Sequence, residues 1–142
     1  MNTITINTKD IHTFRGDCVI LPVFSSVSYN SLNQDLKRLL KTACDKEGFK
    51  SELKESTLMM TDGLPYRWVM FVGLGDRKSL SAERLRKAMG LASRMLLRKN
   101  FKKIAVLYTL ESPNVTLASA ALEGVMLANY DFVMYKSKQK KG

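Results

Sequence analysis

The strongest strand signal in the chain is the stretch RWVMFVGLG, residues 67–75. Its first part is almost continuously apolar, which is typical of a strand buried on both faces of a sheet. Two glycines then end the strand in a tight turn, because glycine adopts backbone conformations that other residues avoid. The run CVILPVF, residues 18–24, has the same character, although Pro22 lacks a backbone donor and should end or bend that strand. Both runs predict central strands of an α/β domain.

Helical patterns alternate with strand patterns on both sides of these runs. A stripe of leucines and alanine predicts a helix over residues 32–48. Ser81 predicts the N-cap of a second helix over residues 81–99, and a third, residues 115–130, is rich enough in alanine and glycine to pack closely on a neighbour. Shorter apolar runs predict strands at residues 3–7, 57–61 and 104–108. This interleaving favours a three-layer α/β domain with a mixed sheet.

Length and composition predict one domain in the cytoplasm. The chain has 142 residues, which is the usual size of a single domain. No apolar run approaches the ~20 residues needed to cross a bilayer, and the first residues lack the basic and apolar regions of a signal peptide. We expect no membrane partner. Residues 1–135 are predicted to form the domain, and residues 136–142, with four lysines, a basic linker or tail.

Positive charge is concentrated in the second predicted helix. The net charge is +10, and residues 77–103 carry ten basic side chains and one acidic side chain. The helical period places Arg84, Lys87, Arg94 and Arg98 opposite the apolar stripe, where they are candidate contacts for nucleic acid. No aromatic residue is interleaved among them, so base stacking is not indicated. A solvated charged face is the alternative interpretation.

No residue pattern predicts a reaction centre. His12 is the only histidine, and with Asp10 it falls short of the three or four ligands that a zinc site needs. The same shortage of bases argues against a nucleophile, base and orienting-group triad. Cys18 and Cys44 are interpreted as two small buried hydrophobic residues. The GLG at residues 73–75 follows a strand, as a nucleotide loop does, but lacks the third glycine or the lysine of the known phosphate loops. We predict no catalytic and no metal-binding residue.

Three segments resemble a known family. They are GDCVILPV at residues 16–23, VGLG followed by LSAERLRKA at residues 72–88, and EGVMLANYDF followed by YKSK at residues 123–138. In this order they are similar to the N-terminal domain of the cytosol (leucyl) aminopeptidase family, and together they span most of the chain. The resemblance implies a macro-domain-like α/β/α sandwich.

The resemblance also implies what the whole protein does. The members of this family are cytoplasmic homohexamers. They are metalloexopeptidases that use two divalent metal ions, such as zinc or manganese, to remove N-terminal amino acids, leucine among them. The metal ligands and the catalytic lysine and arginine belong to the family's C-terminal domain, so no catalytic residue carries over to this chain. We therefore expect a fragment of a longer protein that is inactive alone. Its role would be structural, in assembly and in access to the active sites.

Two other functions remain as alternatives. A stand-alone macro-like module could bind ADP-ribose, with the 73–75 turn facing the diphosphate, although PVFSS at residues 22–26 lacks the asparagine-rich loop of such binders. The domain could instead bind DNA through its basic helix, as some family members do. A natural single-domain protein is the alternative to a fragment.

Overall fold

The structure, a computed structural model, describes residues 4–7, 11–25, 32–108, 115–126 and 131–136. Its strands are β1 (Ile4–Asn7), β2 (Gly16–Val23), β3 (Ser56–Met60), β4 (Tyr66–Gly73), β5 (Lys103–Tyr108) and β6 (Asp131–Lys136). Its α-helices are α1 (Gln34–Lys46), α2 (Ala82–Leu97) and α3 (Val115–Val125). The strands form one sheet in the order β1-β6-β5-β2-β4-β3. Neighbouring strands are parallel except β3, which runs antiparallel to β4.

The sheet is the middle of three layers, as the sequence predicts. Along β2, Val19 and Leu21 belong to the apolar cluster under α1, whereas Cys18 and Ile20 belong to the cluster under α2 and α3. Successive side chains of a strand point to opposite faces, so a strand covered on both sides is apolar at every position. This geometry explains the continuous apolar run and confirms the three-layer α/β/α fold.

Local capping sets where the helices begin. The Asn33 side chain accepts a hydrogen bond from the Leu36 amide at 2.9 Å, so α1 begins at Gln34 rather than at residue 32. The Ser81 hydroxyl accepts from the Arg84 amide at 3.2 Å, which confirms the predicted N-cap of α2. Within the described ranges, no helix combines the length and apolarity that a membrane span requires.

The C-terminal part differs from the sequence prediction. The third helix, predicted over residues 115–130, ends at Val125, and strand β6 is absent from the sequence predictions. This strand lies between β1 and β5 and pairs in parallel with both. Its sequence, DFVMYK, contains the Phe, Val and Tyr that are common in strands, so a local strand signal was available. Which strands it pairs with depends on distant parts of the chain.

Pro22 stops one ladder of its strand and leaves the other intact. The pairing of β2 with β5 ends at Ile20, whereas its pairing with β4 continues to Val23. A proline has no amide proton to donate, so one side of the strand loses its neighbour near this position. The predicted end of the strand therefore applies to one edge only.

Close contact between α2 and α3 depends on a glycine. A Cβ atom at Gly124 would lie 2.5 Å from the Arg86 carbonyl oxygen and 2.8 Å from the Met89 Cβ. The Arg86 and Glu123 side chains form an ion pair across the same contact at 3.7 Å. The expectation that small residues let the third helix pack closely is confirmed.

Candidate functional site

The four predicted nucleic-acid residues share one exposed side of α2, here called the basic face. Arg84, Lys87, Arg94 and Arg98 are all exposed, and at ~100° per residue they span an arc of roughly 80°. The Arg84 guanidinium donates to the Ser79 carbonyl oxygen at 2.9 Å, and the Lys87 ammonium lies 3.3 Å from a Glu83 carboxylate oxygen. The structure thus brings the four residues together, while contact with nucleic acid remains a prediction.

Apolar side chains interrupt this face. Leu91 is 39% exposed and falls within the same arc of the helix, and Met95 is 47% exposed and lies roughly 20° beyond its edge. A groove of about 370 Å³ runs beside them, lined by Lys54, Arg86, Lys87, Gly90, Leu91, Arg94, Glu123 and Gly124. These two residues are not among the sequence predictions, although their spacing of four, outside the buried stripe, was the available signal. The face is therefore mixed in character rather than purely basic.

Residues 73–75, here called the glycine turn, end β4 at the carboxyl edge of the parallel strands. This edge is where α/β sheets commonly bind ligands. All three amides of the turn already donate to backbone carbonyl oxygens, in the pairs Gly73–Glu55 (2.6 Å), Leu74–Val23 (2.8 Å) and Gly75–Ser51 (2.9 Å). A phosphate cradle needs amides that point at the ligand. The hypothesis that this turn faces a diphosphate is therefore not favoured.

Residues 51–55, here called the closing segment, cover the glycine turn. A Cβ atom at Gly73 would overlap the carbonyl oxygen of Glu52, so backbone lies directly against backbone. The Glu55 carboxylate holds the segment by accepting the amides of Lys50 at 2.9 Å and Glu52 at 3.1 Å. Ser51 and Lys54 have φ angles of 57° and 71°, in the left-handed region. The glycine turn is thus a structural junction.

The remaining polar candidates have structural roles or lie at the surface. One Asp17 carboxylate oxygen accepts the amides of Lys102 at 2.7 Å and Lys103 at 2.9 Å, which ties β2 to the start of β5. His12 is exposed, and Asp10 lies outside the described residues. In the described part of the chain, no three His, Cys, Asp or Glu residues are grouped closely enough to hold a metal ion.

The two cysteines lie in different environments. Cys18 is fully buried in β2, as predicted, and its burial raises the pKa of the thiol to about 12. Cys44 is exposed on α1, so its prediction as a buried hydrophobic residue is wrong. Partial desolvation, with Asp45 and Glu55 nearby, raises its pKa as well. A raised pKa disfavours the thiolate, so neither residue has the character of an activated nucleophile.

Comparison with known families decides the chain's relationship. The sequence model described as the cytosol aminopeptidase family, N-terminal domain, matches residues 20–139. The chain belongs to this family. A probable cytosol aminopeptidase of Solibacter usitatus is 29% identical over 143 residues, covering 97% of this chain and 28% of the relative. The family member described here thus spans about a quarter of the length of that curated relative.

Solved structures agree on the fold. A tomato leucine aminopeptidase mutant superposes with a TM-score of 0.70 at 17% identity, covering 100% of this chain and 34% of the other. The macrodomain of Mycobacterium tuberculosis DarG also gives a TM-score of 0.70, at 12% identity, with 95% of this chain and 98% of the macrodomain covered. Both similarities confirm the macro-like fold of this family domain.

Proposed function

We propose that this family domain is the non-catalytic N-terminal part of a leucyl aminopeptidase and that it acts in assembly and in access to the active sites. The main support for this proposal is the match to the family's N-terminal domain over residues 20–139. The match to one curated relative covers only 28% of that relative's length. The closed glycine turn supports a structural role, because its amides are committed to the fold. In this proposal residues 1–135 are the domain and residues 136–142 the linker.

The remainder of the proposed enzyme lies outside this chain. A C-terminal catalytic domain in the same polypeptide would carry two divalent metal ions, zinc or manganese, and remove N-terminal amino acids from peptides. The whole protein would be a homohexamer in the cytoplasm, the compartment named in the relatives' description as cytosol aminopeptidases. Two metal ions can activate a water and stabilise the charge that develops during peptide hydrolysis.

Two measurements test this proposal. The gene should continue downstream of Gly142 into a domain with metal-ligand carboxylates and a lysine. With zinc or manganese added, the 142-residue chain should not hydrolyse leucine p-nitroanilide, whereas the full gene product should. Hydrolysis by the 142-residue chain alone, or a stop codon directly after Gly142, would contradict the proposal.

ADP-ribose binding is not favoured. The fold is shared with macrodomains, but a shared fold does not carry a shared function, and the glycine turn offers no amide for a diphosphate. Titration with ADP-ribose should give no heat and no change in thermal stability.

Nucleic-acid contact through the basic face is a second candidate, favoured by the shared exposed arc of its four residues. Replacing all four with alanine should weaken DNA binding and reduce the slope of log K against log salt by about one for each phosphate that is no longer neutralised. The matched control replaces Lys37, Arg38, Lys41 and Lys46 of α1, which removes the same charge elsewhere. An equal weakening of DNA binding in both variants would mean that only net charge matters.

A further inference from the structure

The edge strand β3 lacks, within the described residues, the features that usually protect a sheet edge. It lies at one end of the strand order, and in the described residues no other strand pairs with its outer side. Its sequence, STLMM at residues 56–60, contains no charge and no proline. Natural edge strands are commonly protected by lysines, prolines, bulges or a covering element. An unprotected edge is a template for another strand.

The register defines which backbone groups point outward. The Thr61 amide donates to the Arg67 carbonyl oxygen at 2.8 Å, and the preceding residue, Met60, is paired with Trp68. In an antiparallel ladder, hydrogen-bonded and non-hydrogen-bonded pairs alternate. The N–H and C=O groups of Ser56, Leu58 and Met60 therefore point away from β4. They provide a regular row of donors and acceptors along the free edge.

Exposed apolar side chains lie beside this row. The Ser56 hydroxyl donates to the Met95 sulfur at 3.2 Å, so β3 lies directly beside α2. Met60 is 65% exposed, in addition to the partly exposed Leu91 and Met95. Leu58 packs against the apolar cluster that α2 covers. Alternate side chains of a strand share a face, so the side chains of Ser56, Leu58 and Met60 all lie on the α2 side of the sheet. We call Ser56, Leu58, Met60, Leu91 and Met95 the β3–α2 seam.

Cavities and positive charge flank both ends of the seam. The groove of about 370 Å³ at the Lys54 end contains four cationic side chains and one carboxylate. Two of these cations are paired, Arg86 with Glu123 and Lys87 with Glu83, while Lys54 and Arg94 form no ion pair in the described structure. A second cavity, of about 270 Å³, lies at the other end and is lined by Met60, Thr61, Gly63, Leu64, Arg67 and Trp68.

We propose that the β3–α2 seam binds an extended acidic segment of another protein, which adds to β3 as a further strand. Its backbone pairs with Ser56, Leu58 and Met60, as in other cases of strand addition to an open edge. Its apolar side chains cover the exposed parts of Met60, Leu91 and Met95. Its carboxylates face Lys54 and Arg94 at one end and Arg67 at the other.

Charge and apolarity together select this partner over two others. A second copy of the chain would bring another +10 of net charge and the same cations to the contact, and like charges oppose association. A nucleic acid would satisfy the cations, but it would leave the exposed apolar side chains and the backbone row unused. An acidic strand satisfies the charges, the apolar surface and the hydrogen-bonding groups at once.

The test uses a fluorescent peptide with the sequence ETVTITE and blocked ends. Because alternate side chains of a strand share one face, its two glutamates and its valine and isoleucine can all lie on the α2 side. The chain should bind it about tenfold or more tightly than the matched peptide KTVTITK. Hydrogen exchange at the Leu58 and Met60 amides should slow when ETVTITE is added. Leu58→Pro removes an outward amide that the ladder with β4 does not use, and it should weaken binding by about tenfold or more.

Charge and seam variants complete the test. Replacing Lys54 and Arg94 with alanine should weaken binding, while the matched pair Lys41→Ala and Lys46→Ala on α1 should not. Met95→Glu places a carboxylate in the seam without altering β3, so it should abolish binding of the acidic peptide. This variant tests the seam even if Leu58→Pro does not fold.

Three results would overturn the proposal. The first is no preference for the acidic peptide over KTVTITK, and the second is binding that Met95→Glu leaves unchanged. The third is occupation of the seam by something else. A dimer in sedimentation that Met95→Glu dissolves would assign it to a second copy, and a DNA oligonucleotide that competes with the peptide and protects the Leu58 amide would assign it to nucleic acid.

Discussion

Two consecutive segments lie along the same side of β4, and they differ in how their backbone groups are paired. They are the closing segment, residues 51–55, and strand β3, which follows it directly. In the closing segment, carbonyl oxygens accept the amides of Gly73 and Gly75, the Glu55 carboxylate accepts two more amides, and Ser51 is only 7% exposed. In β3, the outer backbone row has no strand partner within the described residues, and Met60 is 65% exposed.

The difference separates a structural region from an interaction region. Backbone groups that are buried must be paired inside the molecule, and the closing segment pairs its Glu52, Lys54 and Glu55 amides within the domain. Exposed backbone groups can be satisfied by water, but exposed apolar side chains beside them gain free energy when a partner covers them. In this macro-like domain the closing segment therefore covers the carboxyl end of β4. The exposed surface of interest lies at the edge strand β3, beside α2.

The largest expected effect comes from breaking the closed region at Gly73. Gly73→Ala places a Cβ atom against the Glu52 carbonyl oxygen, so we expect unfolding to become easier by about 3 kcal/mol or more. Chemical denaturation measures the change. Gly63→Ala is the matched control, because Gly63 has a φ of 73° but nothing within 4 Å of the added atom, and its cost should be about 1 kcal/mol. Equal costs would mean that steric closure of the turn is unimportant.

The two cysteines extend the comparison to pH. Burial raises the pKa of Cys18 from 9.0 to about 12, so between these values the thiol ionises only in the unfolded chain. The contribution of the neutral Cys18 thiol to the free energy of unfolding is fully present below pH 9. Above pH 9 this contribution should fall by up to about 1.4 kcal/mol per pH unit. Denaturation at rising pH should therefore show a shallower decline for Cys18→Ala than for the natural chain. The exposed Cys44, replaced by alanine, should leave the profile nearly unchanged, and an identical profile for both variants would contradict the assignment.

A smaller effect is expected from the side chain that holds the closing segment. Glu55→Ala removes the acceptor of two amides, which should reduce the free energy of unfolding by about 1–2 kcal/mol. Hydrogen exchange at Lys50 and Glu52 should accelerate at the same time. Glu47→Ala, an exposed position just after α1, should change stability by less than about 0.5 kcal/mol. Unchanged exchange at Lys50 and Glu52 would show that the carboxylate does not hold the segment.

The smallest effect is expected on the open side. Met60→Gln and Leu91→Gln alter exposed side chains, so the free energy of unfolding should stay within about 0.5 kcal/mol of its original value. In contrast, Leu85→Ala on the buried side of α2 should cost about 2–5 kcal/mol. A large loss of stability at Met60 or Leu91 would mean that the seam is part of the core.

Elements with a strong local signal were predictable. The apolar runs of β2 and β4 and the cap at Ser81 appear in the structure as expected, because burial on both faces and side-chain capping leave direct traces in the sequence. Strand β6 carries a shorter local signal, the run FVMY at residues 132–135, but its place between β1 and β5 depends on pairing with strands distant in sequence.

The sequence by itself determined the three-layer α/β class, the family, and the grouping of the basic face on one side of α2. Helical and strand periods act over a few residues, so they can be read directly from residue order. Only the tertiary structure decided that the glycine turn is closed and that the β3–α2 seam is exposed among the described residues. The first depends on contacts between residues 51–55 and residues 73–75. The second depends on Ser56 meeting Met95, 39 positions away, and no local pattern specifies a contact between such distant residues.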